Sequence, residues 1–442
     1  MKIKTLKRFA LAHQGTNLRH QLIRGALGVG GLKVLSLSLT LVASILLARG
    51  LGPEGYGQFA FIMAMVTFLS LPVGPGVAQL VTREVARYHH DSSWGLFRGL
   101  LRRAHQWTMI GSISIITIIV FIVFINSNPT PTGRWALLAI GILMIPLMGL
   151  NAVRTGTLRG LRYTFHAQIP EFFVRPATHL FLVCLLLMLD ALTPTSALST
   201  QIVGMALAFI VGAVILHRYQ PTCLKHTEPT YDHREWGRAL LPFTLLTAVS
   251  TMNSQIGIII IGWLGTDEET AILQIAQRGS MLVMLSLTII NPVIAPYITR
   301  AHQDRDHEKL QKLSRKSARA ALFISLPIAL PLIFLGEPIV RIIYGEVYSE
   351  LTVWPLAILS FGQLFNVAFG SVGIFLTMTG FERHTLEGQS LALAFNMLVA
   401  FALIPKFGAI GAATAGTVGL MVWNTVLAIR FFQHLRLRPS AF

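Results

Sequence analysis

The stretch WTMIGSISIITIIVFIVFIN, residues 107–126, runs for twenty positions without a charged side chain. An α-helix rises 1.5 Å per residue, so about 20 residues are needed to cross the ~30 Å hydrocarbon core of a bilayer. This stretch therefore predicts a membrane-spanning helix. Other apolar stretches of comparable length predict further spans at residues 26–48, 57–80, 135–153, 172–190, 197–217, 241–263, 272–297, 320–336, 353–378, 387–405 and 408–429.

The overall composition agrees with this interpretation. Hydrophobic residues make up 53% of the 442 residues and charged residues only 12%, and the mean hydropathy is +0.63. Such values are typical of membrane proteins rather than soluble domains. The predicted fold is an all-α integral membrane bundle of about twelve transmembrane helices. The longest predicted outer loop, residues 337–352, is too short for a catalytic domain, so we expect a protein that is not an enzyme.

The distribution of Lys and Arg between alternate loops predicts the orientation, because cytoplasmic loops retain positive charge. Of the 36 basic residues, 29 fall on one side, among them Arg154 directly after the fourth predicted span. The opposite side holds only four, namely Arg49, Arg134, Arg341 and Lys406. An even number of spans with both termini in the cytoplasm satisfies this pattern.

The net charge of +17 does not by itself indicate nucleic-acid binding, because the basic residues are scattered over short loops. Attraction to anionic membrane lipids accounts for it instead. The two cysteines, Cys184 in a span and Cys223 in a cytoplasmic loop, have the spacing of neither a disulfide nor a metal site. We expect no cofactor, no metal and no nucleic-acid partner.

A weak internal repeat divides the chain into two halves. Leu51-Gly52 after the first span matches Leu264-Gly265 after the seventh, and the second and eighth spans both end at Thr-Arg, at Thr82-Arg83 and Thr299-Arg300. A chance match remains the alternative. A true repeat predicts two six-helix bundles, related by a pseudo-two-fold axis normal to the membrane. The predicted divisions are a tail 1–25, bundles 26–217 and 241–429, a linker 218–240 and a tail 430–442.

Three cations and one carboxylate lie within the predicted spans, where a charged side chain is costly and usually functional. Lys33 and Arg175 lie roughly 5 to 10 Å from the cytoplasmic face and Arg278 a similar depth from the other face, counting ~1.5 Å per residue. These cations are candidate ligands for an anionic substrate. The alternatives are that Lys33 extends to the headgroups, that Glu171 pairs with Arg175, and that Arg278 has a distant structural partner. Glu171 is also the candidate for ion coupling.

Polar stripes and proline breaks accompany these charges. Polar residues form stripes that we predict to line a cavity; the alternative is that they are contacts between packed helices. They are Ser36, Thr40 and Ser44 on the first span, Thr244, Thr247, Thr251 and Ser254 on the seventh, and Gln274 on the eighth. The predicted hinges are Pro72 and Pro75 in the second span and Pro292 and Pro296 in the eighth. Broken helices at membrane depth are tolerated only inside protein or beside water.

The segment LARGLGPEGYGQFAF (47–61), followed by TREVARY (82–88), resembles the opening signature of the polysaccharide-transport flippases. These proteins belong to the multidrug, oligosaccharidyl-lipid and polysaccharide exporter superfamily. The resemblance extends over nearly the whole chain through TLRGLRY (157–163), EFFVRP (171–176), GEPIVRIIYGEVYSE (336–350) and LIPKFGAIGAATAG (403–416). It implies two six-helix bundles that face each other across a cavity lined by the first, second, seventh and eighth spans. It also adds Arg49 and Arg83, which lie in the matched motifs, as weaker candidate ligands.

The function that this resemblance implies is translocation of an undecaprenyl-pyrophosphate-linked oligosaccharide from the cytoplasmic to the outer leaflet of the bacterial inner membrane. The product is a surface polysaccharide such as O-antigen, capsule or exopolysaccharide, and a polymerase and a chain-length regulator are the implied partners. Positioned Arg and Lys suit a diphosphate, because they replace its hydration with charge-assisted contacts. The alternatives are a cation-coupled multidrug antiporter, a flippase for lipid-linked peptidoglycan precursors, and a membrane polysaccharide polymerase or ligase.

Overall fold

The computed structural model describes residues 18–125, 133–225, 227–435 and 437, and within these ranges the regular structure is entirely helical. The predicted N-terminal tail therefore lies largely outside the described residues, as does most of the C-terminal end after Leu435. An all-helical membrane bundle, the coarse fold predicted from composition and apolar length, is confirmed.

The helices follow one another with short connections. They are α1 (Leu18–Leu69), α2 (Pro75–His90), α3 (Trp94–Ile125), α4 (Arg134–Gly141), α5 (Met144–Gly160), α6 (Thr164–Ile169), a π-helical turn (Pro170–Val174), α7 (Arg175–Met188), α8 (Pro194–Tyr219), α9 (His233–Leu264), α10 (Asp267–Ser280), α11 (Leu285–Gln303), α12 (His307–Phe334), α13 (Gly336–Tyr344), α14 (Ser349–Phe369), α15 (Val372–Met378) and α16 (Glu382–Leu435). Short 3₁₀ turns lie at Thr222–Lys225 and Glu346–Tyr348.

Polar side chains fix several of the helix starts by accepting hydrogen bonds from backbone N–H groups that have no partner within the helix. The Thr266 hydroxyl accepts from the Glu269 backbone N–H at 3.1 Å, and the Glu269 carboxylate accepts in return from the Thr266 N–H, which makes a capping box for α10. Asp232 caps α9 in the simpler one-sided manner. Helix α9 thus begins at His233, inside the segment predicted as the linker 218–240.

In the described residues, nine helices are long and apolar enough to cross a membrane, or ten if α10 and α11 count as one bent span. Two of these are far longer than one crossing requires. Residues 28–69 of α1 contain Gly52 with φ 70° and ψ 178°, and the 54-residue α16 contains Gly408 with φ 50° and ψ −125°. Each glycine occupies a backbone conformation that other residues rarely adopt, so each long helix changes direction there.

Two helical spans are broken at corresponding places in the two halves. The chain between α1 and α2 leaves the helix at residues 70–74, beside the predicted hinges Pro72 and Pro75. The chain between α10 and α11 breaks at residues 281–284, where the two helices bend by 46°.

Both prolines predicted as hinges in the eighth span, Pro292 and Pro296, lie inside the helix α11, and their role as hinges stays a prediction. The bend lies instead directly after Ser280, two turns or more before either proline. A proline removes one hydrogen bond from the ladder, but a helix packed against its neighbours tolerates that loss.

The two halves, α1–α8 and α9–α16, meet through a few helices. Helix α10 packs on α1, and α9 packs on both α1 and α2, while α9 also packs within the second half against α16. Helix α11 also touches α1. The seam between the halves is therefore built by the same four predicted spans, the first, second, seventh and eighth, that carry the polar stripes and the breaks.

The predicted outer loop 337–352 is mostly helical. It contains α13, a short helix with Ile342 exposed and Val340 and Tyr344 buried. Such an arrangement is typical of a helix that lies at a membrane surface. The fourth predicted span also needs correction, because α5 continues to Gly160 and so carries Arg154 inside the bundle rather than in a loop.

Candidate functional site

An ionic contact joins the two halves at the end that the charge distribution predicts to be the outer one. The Arg134 guanidinium lies 2.8 Å from the Asp267 carboxylate at the start of α10, and Arg134 also donates to the Gly262 carbonyl at 2.7 Å. The Gln58 amide donates to the same carboxylate at 3.2 Å. Two segments of the first half thus hold one carboxylate of the second.

Further contacts surround this ion pair. Arg49 donates to the carbonyls of Ile342 and Ile343 near the end of α13, where helix carbonyls lack partners of their own. The Tyr348 hydroxyl donates to the Ala48 carbonyl at 2.7 Å. Arg49, Gln58, Arg134, Asp267 and Tyr348 are called the outer latch below. Arg49, which the sequence predicts as a ligand contact, thus holds the two halves together.

The latch depends on close backbone approach at Gly57. A Cβ atom at this position would overlap the carbonyl oxygen of Asp267, so only glycine lets α1 reach α10 here. Gly57 belongs to the LARGLGPEGYG segment that carries the family resemblance. That motif therefore has a structural role in closing one end of the seam.

Arg278 lies at the seam without a carboxylate partner among the described residues. It is half-buried, its Nε has no hydrogen-bond partner there, and its charge acts on Tyr56, His179 and Tyr344. Burial raises the pKa of the Tyr344 hydroxyl above its ordinary value, so this group stays neutral beside the cation. Arg278 is eleven residues into α10, a rise of ~16 Å from the start of that helix.

Lys33 reaches the second half of the protein from the first. It lines a cavity of about 490 Å³ together with residues of α11, α14, α15 and α16, among them Asn291, Asn366, Ser371 and Trp423. Lys33 is exposed and has no ion pair in the described part of the chain. Its position beside a polar cavity favours the predicted role as a ligand contact over extension to the headgroups.

A second group of charges lies inside the first half. Glu171 is 3.6 Å from Arg175 and 4.0 Å from Arg154, whose side chain is only 3% exposed. Arg154 also donates to the carbonyls of Ala208 and Phe209 at 2.8 Å each. One carboxylate thus faces two guanidinium groups, which supports the structural pairing of Glu171 with Arg175. Ion coupling by Glu171 stays a prediction.

A third group joins the halves at the predicted cytoplasmic end. Glu84, whose side chain is fully buried, lies 2.6 Å from Arg83 and 3.0 Å from Arg87. Arg87 also pairs with Glu235 of α9 at 2.6 Å, and Arg83 lies over the Phe243 ring. The sequence predicts Glu171 as the one carboxylate inside the bundle and does not predict Glu84, because Glu84 falls just past the predicted end of its span.

Replacing this buried carboxylate tests how much the group contributes to stability. Glu84→Gln leaves two guanidinium groups without their buried anion, at a cost of about 1–3 kcal/mol. We expect a thermal midpoint several degrees lower in detergent-solubilised protein. The matched control is Glu308→Gln, because Glu308 forms a mostly exposed pair with Lys312 that contributes little. Equal midpoints for the two variants would show that the Glu84 group carries no stability.

The predicted polar stripes are largely satisfied within the protein. Among them, the Thr40, Thr247 and Ser254 hydroxyls bond to carbonyls of their own helices, and Ser44 bonds to the Tyr56 hydroxyl at 2.6 Å. Thr244 packs closely on Gly76 of α2. Ser36, Thr251 and Gln274 are half-buried. These contacts support packing for most of the stripe, while Ser254 also lines a cavity.

That cavity, about 390 Å³ in volume, contains the functional candidates that sequence reasoning missed. It lies among α9, α10, α14 and α16 of the second half. Its wall includes six carboxamide side chains, which are Asn253, Gln277, Gln363, Asn366, Gln389 and Asn396. They are spread over four helices with no common spacing, so the only available signal was the number of Asn and Gln residues within apolar spans.

A search against protein families matches residues 46–353 to the family described as polysaccharide biosynthesis protein. The chain belongs to this family. It is 26% identical over 230 residues to the capsular polysaccharide biosynthesis protein CapF of Staphylococcus aureus, which covers 50% of this chain and 58% of CapF. It is 27% identical over 192 residues to the probable lipid II flippase MurJ of Rhizobium meliloti, covering 41% of this chain and 35% of that protein. The chain thus spans little more than half of the first of these relatives.

Solved structures show the same fold at low sequence identity. An inward-facing multidrug resistance transporter of the MATE family aligns over 90% of this chain and 95% of its own, with a TM-score of 0.73 and 16% identity. The lipid II flippase MurJ in an inward closed conformation aligns over 93% of this chain and 90% of its own, with a TM-score of 0.72 and 15% identity. The chain therefore shares its fold with these two membrane transporters.

Proposed function

We propose that this protein is a flippase that moves a lipid-linked oligosaccharide, carried on undecaprenyl pyrophosphate, from the cytoplasmic to the outer leaflet by alternating access. The observation that carries the proposal is Arg278, a seam cation with no carboxylate partner among the described residues, in a member of a polysaccharide biosynthesis family. A cation held without a counter-ion suits a ligand that brings its own negative charge.

The proposed architecture has twelve crossings. Division of α1 at Gly52 and of α16 at Gly408 supports this count, because each of these long helices then makes two crossings. Three other crossings are each made of two helical segments: the part of α1 after Gly52 with α2, α4 with α5, and α10 with α11. We place both termini in the cytoplasm and the protein in the bacterial inner membrane, on the basis of the 29-to-4 distribution of basic residues. The outer latch then closes the outer end of the seam.

The geometry also supports different roles for the five predicted ligand residues. Arg278 and Lys33 present their charges at the seam or beside a cavity, whereas Arg49, Arg83 and Arg175 are each engaged with a protein carbonyl or carboxylate. We propose Arg278 and Lys33 as the diphosphate contacts. The other three cations set the positive potential around them, which attracts an anionic headgroup.

A direct test is translocation by the purified protein. In liposomes, the protein should move a fluorescent undecaprenyl-pyrophosphate-linked oligosaccharide, so that the label becomes accessible to a membrane-impermeant reagent. Liposomes with a multidrug transporter of the same fold serve as the control for leakage. If the protein instead exports organic cations against a proton or sodium gradient and leaves the glycolipid in place, the proposal is wrong and the antiporter alternative holds.

A further inference from the structure

The six carboxamides of the second half surround a cavity that has an unusual chemical character for a membrane bundle. Seventeen described residues line its wall, and none of them is charged. The remainder of the lining is made of small, methionine and leucine side chains together with the indole of Trp423. Polar groups inside an apolar bundle cost free energy unless they are paired, so such a concentration of amides calls for a ligand.

The amides are incompletely paired within the protein. Asn396 is 4% exposed, and its Oδ1 has no hydrogen-bond partner in the described residues. The Gln389 Oε1 is likewise buried without a partner there. The Asn366 amide reaches the Gln363 carbonyl oxygen only at 3.4 Å, a long contact. Buried polar atoms normally have partners, so the amides of this wall have hydrogen-bonding capacity that the described part of the protein does not use.

The chemistry of the wall distinguishes between ligand classes. A carboxamide offers both N–H donors and a carbonyl acceptor, which matches hydroxyl groups that donate and accept. An anion would leave the amide oxygens unpaired, and an organic cation would find no carboxylate. Trp423 adds a flat apolar face on which the C–H face of a sugar ring can pack.

The cavity adjoins the cavity that contains Lys33, one of the proposed diphosphate contacts. Met284, Asn366 and Trp423 line both this cavity and the neighbouring one of about 490 Å³ that contains Lys33. Arg278 lies one residue after Gln277, so α10 presents an amide to the cavity and a cation to the seam. A ligand with a charged end and an uncharged end would find a matching surface for each.

We infer that this carboxamide cavity is the compartment for the glycan of the cargo, and that it takes uncharged, hydroxyl-rich sugar residues, whereas the diphosphate is bound outside it by the cations Lys33 and Arg278, which lie at different depths. The inference rests on the proposed function and adds the class of sugar and its place. It assigns Gln363, Asn366, Asn396 and Trp423 as glycan contacts.

The test uses a cysteine placed in the cavity wall of the full chain. Ser254→Cys is introduced after the exposed Cys184 and Cys223 are replaced by serine, and alkylation of this reporter cysteine by N-ethylmaleimide is timed. The probes are free, phosphate-free trisaccharides of neutral hexoses and N-acetylhexosamines, uronic-acid trisaccharides, and inorganic pyrophosphate. We expect at least one neutral trisaccharide to slow alkylation several-fold, and the uronic-acid trisaccharides and pyrophosphate to have no effect.

Variants identify the contacts. Gln363→Leu and Asn366→Leu replace an amide by an apolar side chain of similar or larger size and so remove hydrogen bonding, and each should abolish protection by the trisaccharide while the protein stays folded. Gln201→Leu, on α8 outside the cavity, is the matched control and should leave protection unchanged. Arg278→Ala should also keep protection, because the free sugar carries no phosphate. Three results would each overturn the inference. They are protection by pyrophosphate but by no sugar, absence of protection by every probe, and protection by the trisaccharide that is undiminished in both leucine variants.

The proposed function and the inference fail separately. Translocation of the lipid-linked oligosaccharide without any sugar protection of the reporter cysteine would retain the flippase and overturn the glycan compartment. Sugar protection in a protein that does not translocate the glycolipid would retain the compartment and overturn the flippase.

Discussion

Replacement of Arg278 by alanine is expected to lower translocation of the lipid-linked oligosaccharide by one to two orders of magnitude while the protein still inserts into the membrane. Loss of a charge-assisted contact costs about 1.5–3 kcal/mol, and each 1.4 kcal/mol corresponds to about tenfold. Export of surface glycan in cells and flipping in liposomes measure the effect. Insertion is measured by the amount of monodisperse protein recovered from membranes.

The control for Arg278 is another arginine without a place at the seam. Arg383 is exposed near the start of α16, so Arg383→Ala removes the same charge from the protein and should leave export unchanged. Arg278→Lys keeps the charge but lacks the planar fork of the guanidinium, and we expect partial activity. Normal glycan export by Arg278→Ala would remove the observation on which the proposed function rests.

Replacement of Gly57 by alanine is expected to hold the outer end of the seam open. The new Cβ would overlap the Asp267 carbonyl, and because that oxygen belongs to the backbone of a helix start, the two helices must separate. Separation weakens the contacts of Asp267 with Arg134 and Gln58. In alternating access the outer end must close before the cytoplasmic end opens, so translocation should fall to near background.

The labelling of a second reporter cysteine measures this opening. Gln58→Cys, in protein without Cys184 and Cys223, should react with a membrane-impermeant thiol reagent faster when Gly57→Ala is also present. Gly31→Ala is the matched control, because a Cβ at Gly31 meets nothing within 4 Å. Equal labelling rates in the presence and absence of Gly57→Ala would mean that the latch does not depend on this close approach.

Much of the architecture could be predicted because the relevant physics is local. Apolar length sets whether a helix can cross a bilayer, and Lys and Arg counts predict the orientation without knowledge of contacts. The break near Pro72 and Pro75 was predictable for the same reason. The bend between α10 and α11 was not predictable in this way, because it occurs at residues 281–284, which carry no proline, whereas Pro292 and Pro296 lie inside the helix α11.

The candidate site was only partly predictable. The position of Lys33, Arg175 and Arg278 within predicted spans indicated that these charges lie inside the bundle. It did not indicate which side chains contact them. Arg175 is paired with Glu171, whereas Arg278 has no carboxylate in the described structure. Glu84 and Arg154 were placed outside the bundle, because helices continue beyond the end of the apolar run and bury polar side chains against neighbouring helices.

The amino-acid sequence by itself determined that this is a membrane protein built of apolar helices. It also determined which cations lie within the apolar spans and which segments resemble a polysaccharide-transport family. These properties depend on composition and on spacing along one helix. Only the tertiary structure decided that Arg49 and Gly57 serve the outer latch, that Arg278 lacks a carboxylate partner among the described residues, and that amides from four helices share one cavity. Residues so far apart in the chain meet only through helix packing, which no local pattern records.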